Sequence, residues 1–199
     1  MATSELAVLM ALRVHGRGDA ARVARAAGGD VAAAAERLAA LAARGATVPV
    51  PGAPSTASRA APAPLVALSD DGRALLTRLV AGEPIDRAAL ATLYDARFAA
   101  ADRGLKGTIT AWQLAADAAK PAAQSAVMAA AATVGGVAAA LAAVAPRLAP
   151  YARRIADAAA AIATGDPRFV ASPRVDSLHQ IWFELHEDLL VTLGRSRGA

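Results

Sequence analysis

Leu65-Val66-Ala67-Leu68-Ser69-Asp70-Asp71-Gly72-Arg73-Ala74-Leu75-Leu76 is the stretch on which the reading of this chain turns. Leu65, Val66, Ala67 and Leu68 read as a short strand. Ser69 follows as a helix cap, and Asp70 and Asp71 fall in the first turn, where the helix dipole favours acids. A strand that runs straight into a capped helix fixes the order of the segments on either side.

Upstream, apolar residues at Leu6, Leu9, Met10, Leu12 and Val14 predict a helix over residues 5–15, closed by Gly16 and Gly18. Asp19 caps a second helix over residues 20–27, which stops at Gly28-Gly29. Asp30 caps a third over residues 31–44, with Val31, Ala34, Leu38 and Leu41 on one face and Gly45 behind it. Strands at residues 47–50 and 65–68, joined by a Pro-, Ala- and Ser-rich segment, make a hairpin with a long tip. Downstream of the helix at residues 70–81, Gly82-Glu83-Pro84 marks a domain boundary. The fold expected is mainly α: a winged helix-turn-helix (three helices plus a β-hairpin) over residues 1–83, then an all-helical domain over residues 84–199.

The Leu68-to-Leu76 run resembles the strand-to-helix join of MarR-type winged-helix regulators, and Ala39-Ala40-Leu41-Ala42-Ala43-Arg44-Gly45 resembles the end of their recognition helix. The second half resembles a helical region found beside such winged helices in bacterial regulator-like proteins. Its carrying residues are Ala111-Trp112-Gln113, Arg168-Phe169-Val170 and the run from Val175 to Leu190. The resemblance implies a cytoplasmic DNA-binding transcriptional regulator, homodimeric through its C-terminal helices and open to a small-molecule effector. MarR-type dimers place a helix before the helix-turn-helix, for which Met1 to Ser4 leaves no room.

On that pattern the residues expected at DNA are Arg22 and Arg25 on the second helix, Ala32, Arg37 and Arg44 on the third, and Arg59 on the hairpin tip. The early positions of the third helix, Ala32, Ala33 and Glu36, are chemically bare, because base edges are read by hydrogen-bonding side chains. Residues 1–48 hold six arginines against four acids, a modest electrostatic footprint. An alternative therefore stands beside DNA binding: a winged helix reused as a protein-interaction module, acting as an accessory or regulatory subunit.

The expected helix over residues 175–193 concentrates the remaining chemistry. Asp176, His179, Phe183, His186 and Leu190 fall along one stripe, with Glu184 and Glu187 flanking and Leu178, Trp182, Leu185 and Leu189 beside it. The two histidines are seven apart, about 10 Å along a helix, which is too far to chelate one ion unaided. Two readings follow: hydrogen-bonded structural histidines, or a small-ligand pocket built from Trp112, Tyr151, Asp176, His179, Trp182 and His186. Arg153-Arg154 reads as a solvated face.

Composition narrows the function classes. Net charge is +4 and the isoelectric point about 10.3. Heavy Ala, Arg and Gly usage makes that basicity as much compositional as functional. With no cysteine, disulfides, thiolate zinc sites and thiol catalysis are excluded. Neither a Gly-x-x-x-x-Gly-Lys loop nor a Gly-x-Ser-x-Gly elbow occurs, so no enzyme, cofactor or metal is expected. The uncharged run at residues 126–145 is long enough to span a bilayer, but it is built from Ala, Gly and Val rather than Leu, Ile and Phe. It reads as a buried helix, with Gly135-Gly136 permitting close packing, and no membrane partner is expected. Gly104 is expected to end a helix begun at Asp86.

Overall fold

Three helices open the chain, and each begins where a side-chain oxygen accepts from amides that the first turn leaves unpaired. Ser4 serves α1 (Glu5–His15) through Ala7 N, and Asp19 serves α2 (Ala20–Ala27) through Arg22 N. Asp30 accepts from both Ala32 N and Ala33 N at the start of α3 (Val31–Ala43). The computed structural model describes residues 4–51 and 64–196. The chain divides into two compact units, Met1–Pro84 and Ile85–Ala199. It is mainly helical, with one small antiparallel sheet among the described residues.

In the first unit β1 (Thr47–Pro49) pairs with β2 (Val66–Leu68), Thr47 opposite Leu68 and Pro49 opposite Val66. Val50 N donates to Leu65 O at 2.9 Å, so the pairing persists one residue beyond the strands. The turn between α1 and α2 adds a rung that the sequence did not announce. Gly18 N donates to Val66 O at 2.9 Å, and Val66 N donates back to Gly18 O at 3.0 Å. The core beneath is built from Val8, Leu9 and Leu12 of α1, Val23 of α2, Leu38 and Leu41 of α3, and Leu68.

The strand-to-helix join is held from both sides. Ser69 caps α4 (Asp70–Ala81) by accepting from Gly72 N at 3.0 Å, while its hydroxyl donates to Gly45 O at 2.6 Å. Ser69 N donates to Ala46 O at 3.1 Å. Gly72 packs so tightly on this turn that a Cβ would sit 2.0 Å from Ala46 O, inside any van der Waals limit. The residue is therefore required by close approach of backbone to backbone.

The second unit is all-helical among its described residues. Asp86 caps α5 (Arg87–Leu93), which passes through a π-helical turn (Tyr94–Phe98) into α6 (Ala99–Leu114). Then come α7 (Lys120–Val144), α8 (Ala149–Ala163), the short α9 (Arg168–Ala171) and α10 (Leu178–Leu193). Phe98, Leu105, Ile109, Leu141, Leu148, Ile155, Ile162, Trp182, Leu185 and Leu189 form one buried cluster.

Three expectations need correction. The helix does not end at Gly104, because a lone glycine weakens a helix without terminating it and Gly104 lacks the left-handed backbone of a C-terminal cap. The last helix starts at Leu178 with Ser177 as its cap, so Asp176 precedes it and does not share its stripe. The apolar helix α7 is buried on one face only, through Val127, Ala131, Val134, Val137, Ala138 and Leu141. Residues Asp117–Val144 are long and apolar enough to cross a membrane by length and composition, and 28% of their most apolar stretch is buried. Gly135 does face α8: a Cβ there would meet Ile155 at 3.6 Å, whereas Gly136 faces open space.

Candidate functional site

Two surfaces carry the residues singled out from the sequence, one in each unit. In the first unit Arg22 and Arg25 are exposed and lie three residues apart, on one face of α2. Arg13 and Arg17 are exposed just before it, and Arg37 on α3 is half-buried. None of these five arginines has an ion-pair partner among the described residues. Arg44 differs, since its guanidinium donates to Glu5 at 2.6 Å. Of the acids nearby, Asp19 and Asp30 are engaged as helix caps. Arg59 lies outside the described residues.

The outward face of α3 is as bare as its sequence. Val31 is 51% exposed, and Ala32, Ala35, Glu36, Ala39 and Ala40 are exposed with it. Among these only Glu36 bears a hydrogen-bonding side chain, and it is an acceptor. A surface of this kind can pair with anions through the arginines around it, and offers the donor-acceptor pattern of a base edge a single carboxylate acceptor.

In the second unit the notable construction is a buried polar ladder between α8 and α10. Arg147, in the turn before α8, donates to both carboxylate oxygens of Asp188, at 2.9 and 2.7 Å, and to Thr192 Oγ1 at 3.0 Å. Tyr151 donates to Asp188 at 3.1 Å. One turn on, Arg154 donates through Nε to Asp176 at 2.8 Å and through Nη2 to Glu184 at 2.6 Å. Gln180 supplies Glu184 with a further donor at 3.1 Å. Arg154, Glu184 and Asp188 are 6%, 2% and 2% exposed, so these charges are out of water and depend on one another.

The electrostatics follow. Burial works to depress the Arg154 guanidinium, but the hydrogen bond it donates to Asp176 and the charges of Glu184 and Asp176 outweigh it and hold it above its ordinary value. Burial, reinforced by the Asp188 and Glu184 charges, pushes the Tyr151 phenol well above its ordinary range. Tyr151 is thereby kept as a neutral donor. Charges matched in this way fix two helices against each other and leave no poised acid, base or nucleophile.

The six residues proposed for a ligand pocket fall into separate environments. Asp176 is committed to Arg154 and Tyr151 to Asp188. Trp182 is 1% exposed, stacked on Phe98 with ring centroids 4.3 Å apart, and its indole donates to Asp102 at 3.1 Å. His186 lies 3.0 Å from the Tyr94 hydroxyl, while His179 is exposed. Trp112 is half-buried under the Lys120 ammonium, 4.6 Å from its ring centre. Phe183 is 41% exposed rather than core. Among the described residues no three His, Asp or Glu side chains converge as metal ligands.

Sequence reasoning missed Arg147, Asp188 and the role of Arg154, whose expected solvated position holds for Arg153 alone. The signal was present. Arg147, Tyr151 and Arg154 are spaced i, i+4, i+7, and Glu184, Asp188 and Thr192 are spaced i, i+4, i+8, so each set lies on one helical face. Compared with family models, with curated proteins and with solved structures, the chain matches none.

Proposed function

We propose that the first unit is a winged helix-turn-helix that binds duplex DNA chiefly through phosphates, and that the chain is a transcriptional regulator. The observation that carries this reading is the set of five arginines, Arg13, Arg17, Arg22, Arg25 and Arg37, without acidic partners among the described residues across α1, the α1–α2 turn, α2 and α3. Element order supports it too: helix, helix, helix, antiparallel flap, helix, with the α1–α2 turn bridged to the flap, is the layout of a winged helix. The regulator works as a homodimer joined through its helical unit. The apolar surface that α7 leaves uncovered supports that pairing.

The test is fluorescence anisotropy of the full chain on a labelled duplex, titrated with salt. Each phosphate neutralised contributes a slope of about −0.9 in log K against log salt, so five arginines set a limit of about −4.5. Between 50 and 200 mM salt that limit is a loss of about 500-fold. Arg22→Ala with Arg25→Ala flattens the slope by about 1.8, toward a loss of about 40-fold. Absence of binding at 50 mM salt, or an unchanged slope in the double variant, overturns the proposal.

A second reading rests on a different observation. The exposed Val31 and its neighbouring alanines on α3 suit a protein partner better than a base pair. Stoichiometric co-purification of one protein, with DNA binding absent, assigns the unit to that role.

A further inference from the structure

A groove in the second unit is lined by neither the polar ladder nor any of the sequence-derived site residues. α7 turns back along α6, and the groove between them encloses about 620 Å³. That volume is within the range of small-molecule sites. Its walls are made by small and apolar residues: Ala100, Ala101, Gly104 and Leu105 on one helix, Ala130 and Val134 on the other. These recur at helical spacing, so each helix presents one continuous stripe. From Arg97, in the π-helical turn, to Thr108 on α6 the stripe runs about 16 Å.

Polarity is confined to a few points. Arg97 lines one end of the α6 stripe, is exposed, and has no ion-pair partner among the described residues. Thr108 stands at the other end and Thr133 on the α7 side, where its hydroxyl donates to Ala129 O at 3.1 Å. Among the described residues no acidic side chain lines the groove. One uncompensated guanidinium above a long apolar trough complements one negative charge on an elongated hydrocarbon. A planar carboxylate meets the guanidinium fork with two parallel hydrogen bonds.

We propose that this groove binds a monocarboxylate with an apolar chain or aryl tail, the carboxylate on Arg97 and the tail along Gly104 and Leu105. The site is open at Gly104 because nothing takes the place of the missing side chain: a Cβ there would meet no atom within 4 Å. The glycine therefore keeps the trough open at no packing advantage to the helix, where alanine would be more stable. This inference concerns the second unit alone and stands whether or not the first unit binds DNA.

The experiment is isothermal titration calorimetry of the full chain with sodium decanoate, decan-1-ol and decyltrimethylammonium. Decanoate is expected to bind at least tenfold more tightly than the alcohol or the cation. Arg97→Gln is expected to erase that preference while leaving the alcohol's affinity unchanged. Gly104→Phe fills the trough and is expected to weaken both decanoate and decanol at least tenfold, with circular dichroism unchanged and the urea midpoint not lowered. Equal binding of the three probes overturns the proposal, as does decanoate affinity that is the same in either variant. Sedimentation of the wild-type chain as a dimer that Gly104→Phe converts to monomer also overturns it, by giving the groove to a second copy.

Discussion

Replacing Arg154 by methionine takes away the guanidinium that pairs with the Glu184 carboxylate where water does not reach. Methionine keeps most of the arginine stem's volume, so packing changes little and the effect is electrostatic. The guanidinium is 7% exposed and the Glu184 carboxylate 3%, at 2.6 Å. Breaking a buried pair by removing one partner destabilises by about 3–5 kcal/mol, because the remaining charge stays buried and uncompensated. Beside the Gln180 amide that still donates to it, the carboxyl can relieve the loss by taking up a proton. Holding an ordinary glutamic acid neutral at pH 7 costs about 3.7 kcal/mol, which caps the penalty within the same range. At pH 5 the same step costs about 1 kcal/mol.

The prediction is therefore a pH-dependent loss. Over pH 5–7 the folded variant binds one more proton than its unfolded chain, so its stability rises as pH falls, by about 1.4 kcal/mol per unit. Urea unfolding followed by tryptophan fluorescence measures it cleanly, since both tryptophans, Trp112 and Trp182, belong to the second unit. At pH 7 the urea midpoint is expected to fall by more than about 1 M. Arg154→Met combined with Glu184→Leu is expected to recover most of the loss, leaving only Asp176, whose side chain is 24% exposed and better hydrated. Arg153→Ala, an exposed neighbour, is the control and is expected within about 0.5 kcal/mol of wild type. A loss below about 1 kcal/mol at pH 7, or one of equal size at pH 5 and pH 7, refutes the reasoning.

Gly72→Ala places a methyl group 2.0 Å from Ala46 O and is expected to destabilise the first unit by about 2–4 kcal/mol, read as a lowered transition by circular dichroism. Gly104→Ala, which meets nothing, is expected to stabilise the second unit by up to about 1 kcal/mol in the tryptophan-detected transition. Tyr151 is buried with its phenol pushed up, so its contribution is complete below the ordinary tyrosine range near 10 and is lost as pH rises through the folded value. Ultraviolet titration is expected to reveal one phenol that ionises only as the second unit unfolds, and Tyr151→Phe is expected to remove that late step.

Local features were legible in the sequence because their physics spans three or four residues. Asp19, Asp30, Ser69 and Asp86 cap the helices assigned to them, since a cap is a contact between a side chain and an amide two or three positions on. The two strands were legible for a similar reason: each is a short, mostly apolar run bounded by turn residues. Long-range pairings were not. Arg154 reaches Asp176 and Glu184 across 22 and 30 residues, and Arg147 reaches Asp188 across 41. The helical spacing that aligns each set on one face does not say which charges meet across the core, so the partners themselves could not be read from it. The groove beside Gly104 was invisible for a different reason: it is made by side chains that are absent, and missing bulk leaves no motif.

The composition of α3 bears on what the proposed regulator can read. Each bidentate contact to a base edge is worth about 1–3 kcal/mol of discrimination, and such contacts need Arg, Lys, Asn or Gln on the inserted helix. The exposed face of α3 presents Val31, alanines and Glu36. Glu36 accepts from cytosine and repels phosphate, so it lowers affinity everywhere and selects weakly. Affinity then rests with arginines that lie mostly on α1, the α1–α2 turn and α2, and those contacts carry no sequence information. A helix faced with alanine has one compensating property: its backbone approaches the groove floor closely, so fit depends on groove width and on how readily the duplex deforms. On this reading, discrimination among sites comes from DNA shape and from the spacing that two paired copies impose, rather than from a code written on the helix.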